Sequence, residues 1–219
     1  MKNIVFKFKF LTLAITLISI SGVASASLNY RVNKARSVCF DKDNNYFNKA
    51  TFNPPHESDF DLYTPSKTQN VLSPVYIGIF DRFGGGLQSL IENGDARYVS
   101  YYLRKLGQEA KRYIFNKKLN RLGATCLATC ITNQLMEGDE GVFPTTSLPL
   151  AISNGKGFCR HFALSTLELL KQMGVKAAPE YSFRHMFLKL NYYGEKLYLD
   201  PSVNEGTYRC NFIKVKDIK

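Results

Sequence analysis

The segment from Phe158 to Asp200 constrains the fold most, because it reads as one helix followed closely by three short strands. Cys159, Ala163, Leu167, Leu170 and Met173 recur at steps of four and three, which predicts one apolar stripe on a helix over Phe158–Met173, closed by Gly174. Lys176–Phe183, His185–Asn191 and Glu195–Asp200 have the length and composition of strands, and Tyr193-Gly194 fits a two-residue turn between the last two. A final strand is expected within Tyr208–Lys216. The order predicts an α+β fold, with a Cys-bearing helix packed on an antiparallel sheet.

Upstream, Leu87–Leu135 is expected to be helical. Val99, Tyr102, Leu103, Leu106 and Ala110 recur at helical spacing, Asp95 can cap, and a second helix fits Ala124–Met136. Glu137–Gly157 reads as a loop containing Pro144 and Pro149. Ser27–Pro74 is rich in turn formers and reads as an irregular, wrapping N-terminal arm. Val75–Phe80 is strand-like and ends at the flexible Gly84-Gly85-Gly86, which lacks the GK[ST] ending of a phosphate loop. The expected organisation is therefore a leader over 1–26, an arm over 27–74 and a single domain over 75–219. Within that domain the helical part is 87–136 and the chemical core 154–204.

The leader has the three parts of a secretory signal. Lys2, Lys7 and Lys9 precede the apolar run Phe10–Ile20, and Ala24-Ser25-Ala26 supplies small residues for cleavage. Cleavage after Ala26 would export Ser27–Lys219 to the periplasm or the medium, with no transmembrane span left. Export places Cys39, Cys126, Cys130, Cys159 and Cys210 where thiols pair, and five is odd. Cys39 and Cys210 are each expected to tie a chain end to the body, although the residues leave the pairing open. Nothing calls for a metal or a cofactor, since no His cluster accompanies the Cys126/Cys130 pair.

The formal charge is +11, and +8 without the leader lysines. Such a surplus suits an anionic partner or a diffusely basic surface, the second being simpler. Arg104, Lys105, Lys111, Arg112, Lys117, Lys118 and Arg121 accordingly read as a solvated helix face, a binding patch being the sharper alternative. No nucleic-acid motif accompanies them, so no specific nucleic-acid partner is expected.

One ordered set carries chemistry. Cys159 opens its helix behind Gly155 and Gly157, where unpaired amides and the helix dipole favour a thiolate and can hold an oxyanion. A thiol nucleophile wants a base. Of the three histidines, His161 points to another face of the same helix and His56 lies in the arm, which leaves His185 at a strand start. Asp200 ends the partner strand, and a turn at Tyr193-Gly194 brings it beside His185 to orient the imidazole. Asn133 and Gln134 are candidate oxyanion side chains.

The stretches Gly157-Phe158-Cys159-Arg160-His161-Phe162-Ala163, Gly174-Val175-Lys176-Ala177, His185-Met186-Phe187 and Leu199-Asp200-Pro201 resemble the transglutaminase-like superfamily, over about Asn154–Asn204. The resemblance implies a papain-like core with Cys159 as nucleophile, His185 as base and Asp200 as orienter. It also implies cleavage, deamidation or cross-linking of amide bonds through a thioester. His161 stands where members often carry an acid and Phe187 where they often carry Trp; the chain has no Trp, which favours hydrolysis over cross-linking. The expected activity is thus that of an exported cysteine peptidase or amidase acting on a peptide or protein, a cell-envelope component being one such substrate. Acyl transfer, and an inactive binding module on the same fold, are the alternatives.

Overall fold

The computed structural model describes residues 27–40, 47, 50–65, 87–139, 147–182, 185–202 and 210–218. In chain order the elements are α1 (27–39), β1 (Thr51–Phe52), a 3-10 turn (Glu57–Asp59) that runs into α2 (Phe60–Tyr63), α3 (Leu87–Lys117) and α4 (Arg121–Leu135). They continue with β2 (Glu137–Gly138), α5 (Leu148–Asn154), β3 (Lys156–Gly157), α6 (Cys159–Met173), β4 (Ala178–Tyr181), β5 (Met186–Tyr192), β6 (Glu195–Leu199) and β7 (Asn211–Lys214), which leads into a last 3-10 turn (Val215–Asp217). The fold is α+β. The leader, the Val75–Phe80 stretch and the triple glycine lie outside the described residues.

The main sheet has the order β1-β7-β6-β5-β4. The last four strands are antiparallel neighbours, but β1 joins β7 in parallel, so the sheet is mixed rather than antiparallel throughout. Alternation along the strands gives the sheet two apolar faces. Met186, Leu188, Leu190, Leu197, Leu199 and Phe212 join the core under the helices. Phe187, Tyr198 and Ile213 point the other way and form a second cluster with Tyr63. α6 packs against β5 and β4 on one side and against α3 and α4 on the other.

Three expectations change. Residues 27–39 are helical, because Leu28, Val32, Ala35 and Cys39 repeat at four, three and four and all four bury into the main core. The supposed loop 137–157 contains α5, whose N-cap Ser147 accepts from the Leu150 N–H and whose Pro149 sits in the first turn, where a missing N–H costs nothing. Asp95 lies inside α3, so it is not a cap. The cap that does act here is Asn120, which accepts from the Gly123 N–H at 2.8 Å and starts α4 three residues earlier than Ala124.

Two disulfides join Cys39 to Cys130 and Cys126 to Cys210, with Cα separations of 6.0 and 5.4 Å. They tie α1 and the start of β7 to α4, on adjacent turns of that helix. No helix among the described residues is long and apolar enough to cross a membrane.

Candidate active site

The approach to Cys159 is held from several sides. α5 ends at Gly155, which takes φ +72, and a side chain there would also collide with the Arg31 guanidinium. Arg31 of α1 reaches across to donate to the carbonyls of Ile152 and Ser153, the last turn of α5. The two residues of β3 are clamped by β2, with the Glu137 N–H on the Gly155 carbonyl at 2.9 Å and the Asp139 N–H on the Gly157 carbonyl at 3.0 Å. Gly157 is glycine because a Cβ there would sit 3.1 Å from Met136 Sδ and 3.2 Å from Phe162 Cε2.

α6 then begins at Cys159. His161, fully buried, accepts the Phe158 N–H on its Nδ1 at 3.0 Å, while its own N–H donates to the Phe158 carbonyl at 2.8 Å. This reciprocal pair caps the helix and makes His161 structural. Cys159 is half-buried: it packs against the main core at the start of the buried side of α6, which continues through His161, Phe162, Ala163, Ser165, Thr166, Leu169, Leu170 and Met173. Leu167, the other expected stripe member, is also half-buried. All five cysteines of the chain are described, and Cys159 is the one outside the disulfides.

The β5–β6 hairpin sets the other two groups. Tyr193 and Gly194 both take positive φ, 49° and 84°, and the Asn191 side chain accepts from the Gly194 N–H. That is the turn a two-residue hairpin loop requires. It pairs Leu188 with Leu199, so Asp200 and His185 fall on the same face, diagonal to each other just beyond the ladder. His185 Nε2 hydrogen-bonds Asp200 Oδ2, and Cys159 lies close enough to the ring to favour its charged form. With Nε2 engaged by Asp200, Nδ1 is left for the sulfur. The structure thus brings together Cys159, His185 and Asp200.

Asp200 is buried and heavily bonded. Burial pushes its carboxyl up, but the His185 hydrogen bond and charge, with the hydrogen bonds of Ser202, hold it below the usual carboxylate range. The Ser202 hydroxyl and N–H donate to Oδ1 at 2.6 and 2.9 Å. The Tyr63 hydroxyl donates to Oδ2 at 3.1 Å. Burial disfavours the imidazolium of His185, but the Asp200 hydrogen bond and the nearby charges of Asp200 and Cys159 outweigh it and push its pKa up to about 10.

Tyr63 is the site residue that sequence reasoning missed. It stands in the arm segment, on α2, and its ring meets His185 edge-on at 6.0 Å and Phe187 at 5.5 Å. Phe187 stacks on His185 from the strand side. Burial and the Asp200 charge raise the Tyr63 hydroxyl well above 10, so it stays a donor. One signal was available: Phe60, Leu62 and Tyr63 are an apolar cluster in an otherwise polar stretch. Asn133 and Gln134 are half-buried near the end of α4. No protein-family model matches this chain, and no curated protein or solved structure matches it significantly.

Proposed function

We propose that the chain is a thiol-dependent amide hydrolase with a papain-like, transglutaminase-like core, acting on a peptide or protein outside the cytoplasm. The observation that carries this reading is the contiguous set Cys159–His185–Asp200, built around the one thiol left out of the disulfides. Disulfides and the leader sequence fit an exported chain.

The Cys159 sulfur attacks the scissile carbonyl, and the carbonyl π-electrons move to oxygen. The Phe158 and His161 amides are taken by the helix cap, which leaves the Cys159 N–H at the first turn of α6 as the donor for the developing oxyanion. His185, protonated through its raised pKa, delivers its Nδ1 proton to the leaving amine as the C–N bond breaks, leaving a thioester. The neutral imidazole then takes a proton from water, the hydroxide carbon–oxygen bond forms, and the thiolate departs. Asp200 keeps the ring in register through Nε2 and stabilises its cationic form.

The test is covalent trapping. An electrophilic peptide should label the wild-type chain at Cys159 only, seen as one adduct in the intact mass and located by peptide mapping. His185→Ala should slow labelling by roughly a hundredfold or more, the usual scale of a lost general base. Labelling that persists in Cys159→Ala, or a wild-type rate no faster than a free thiol, sinks the proposal.

A further inference from the structure

We infer that the outer face of α3 is a docking surface for an anionic lipid bilayer. The inner side of this helix, Val99, Leu103, Leu106 and Ala110, is buried in the core. The outer side is exposed from Tyr101 to Lys118, about 25 Å of helix at 1.5 Å per residue. Tyr101, Gln108 and Phe115 stand seven residues apart along its centre. Arg104 and Lys111 lie on one flank, Lys105 and Arg112 on the other, and Lys117, Lys118 and Arg121 extend the charge past the helix end.

Two observations lift this above an ordinary solvated face. The first is the charge. Glu109 is the one acidic residue between Val99 and Lys118, and it is taken by Arg36 of α1 in a two-pronged bond of 2.8 and 2.9 Å. Among the described residues no ion pair involves Arg104, Lys105, Lys111 or Arg112. Among the described residues these four cations therefore carry no counter-charge.

The second is the pair of aromatic residues in the same band. Phe115 is 83% exposed and Tyr101 is 52% exposed, with the Lys105 ammonium 5.7 Å over the Tyr101 ring. A base-free anionic polymer such as polyphosphate rewards only the cations. A bilayer rewards both: headgroups attract the lysines and arginines, and the interfacial region takes an exposed ring. Charge complementarity with rings at both ends of the band is what favours the bilayer.

The test uses the chain from Ser27 onward, which holds the whole described fold and lacks the apolar leader. It is sedimented with vesicles of phosphatidylcholine alone and with phosphatidylglycerol added. Binding is expected only to the anionic vesicles, weakening as salt rises. Arg104→Gln, Lys105→Gln, Lys111→Gln and Arg112→Gln together should weaken it by roughly a hundredfold or more. Phe115→Ala should weaken it several-fold with the salt dependence unchanged. Melting curves matching the wild type confirm that these exposed changes leave the fold intact. The inference is overturned by no binding at low salt, by binding that ignores the four substitutions, or by a Phe115→Ala chain that binds as well as the wild type. It is equally overturned if the chain binds polyphosphate or DNA through the same residues but not the vesicles.

Discussion

At Asp200 a buried carboxylate is held by donors from three parts of the chain: His185 across the hairpin, Ser202 two residues on, and Tyr63 from far upstream. Tyr63→Phe keeps the ring that packs on His185 and Phe187 but removes one donor from a buried charge. A lost bond of that kind costs about 1–3 kcal/mol. Hydrolysis should fall several-fold, less than in Asp200→Asn, with the His185 titration moved; an unchanged rate and titration would make Tyr63 mere packing. The pair also predicts a pH dependence. His185 has a raised pKa, so its contribution to stability is full below its unfolded value of 6.5 and is lost as pH climbs towards about 10. Asp200 has a lowered one, so its contribution is present above 3.8 and is lost on acidification. The melting temperature should therefore fall between pH 6.5 and 10 more steeply in the wild type than in His185→Ala. Equal slopes in a set of thermal melts would remove the ion pair from the account.

Among the elements, those whose pattern is local were legible. Gly174 at φ +79 ends α6 where a glycine after an apolar stripe should, and Tyr193-Gly194 turns the hairpin where two short strands flank it. The relative placement of His185 and Asp200 followed from that turn alone, since a two-residue loop fixes the register. What stayed hidden depends on partners remote in sequence. α1 reads as part of a polar arm until its Leu28–Cys39 repeat meets the core, and Tyr63 has no meaning before Asp200 is beside it. The stripe assigned to α6 is incomplete, because Ser165 and Thr166 are buried with it: the Thr166 hydroxyl donates to the Thr132 hydroxyl of α4 at 3.0 Å. A pattern of apolar residues cannot register a buried polar contact. Gly157→Ala tests how closely β3 positions the thiol. Its new Cβ would press on the side chains of Met136, Phe162 and His161, which must give by a few tenths of an ångström at the start of α6. Trapping at Cys159 should slow by about tenfold or more while the far-ultraviolet spectrum holds, since small misplacements cost that much. A wild-type rate would show that the glycine serves packing only.

For the molecule as a whole, α4 is the post to which both ends of the described fold are tied. Cys130 holds α1 and Cys126 holds the start of β7. The Cys39–Cys130 link closes a span of 91 residues, which removes about 4–5 kcal/mol of chain entropy from the unfolded state. α1 does more than fill the core, because its Arg31 caps α5 immediately before the glycines that lead to Cys159. Stability and site geometry therefore converge on the same helix, and the two can be separated. Cys39→Ser with Cys130→Ser should lower the urea midpoint by an amount equivalent to about 3–5 kcal/mol. The Leu28, Val32 and Ala35 contacts remain, so α1 should stay docked in the folded fraction, and trapping at Cys159 should persist there at close to the wild-type rate. If trapping is lost while the circular dichroism spectrum is still native, the disulfide is needed to seat α1 against α5. An unchanged urea midpoint would instead mean that the packing of α1 alone carries the tie.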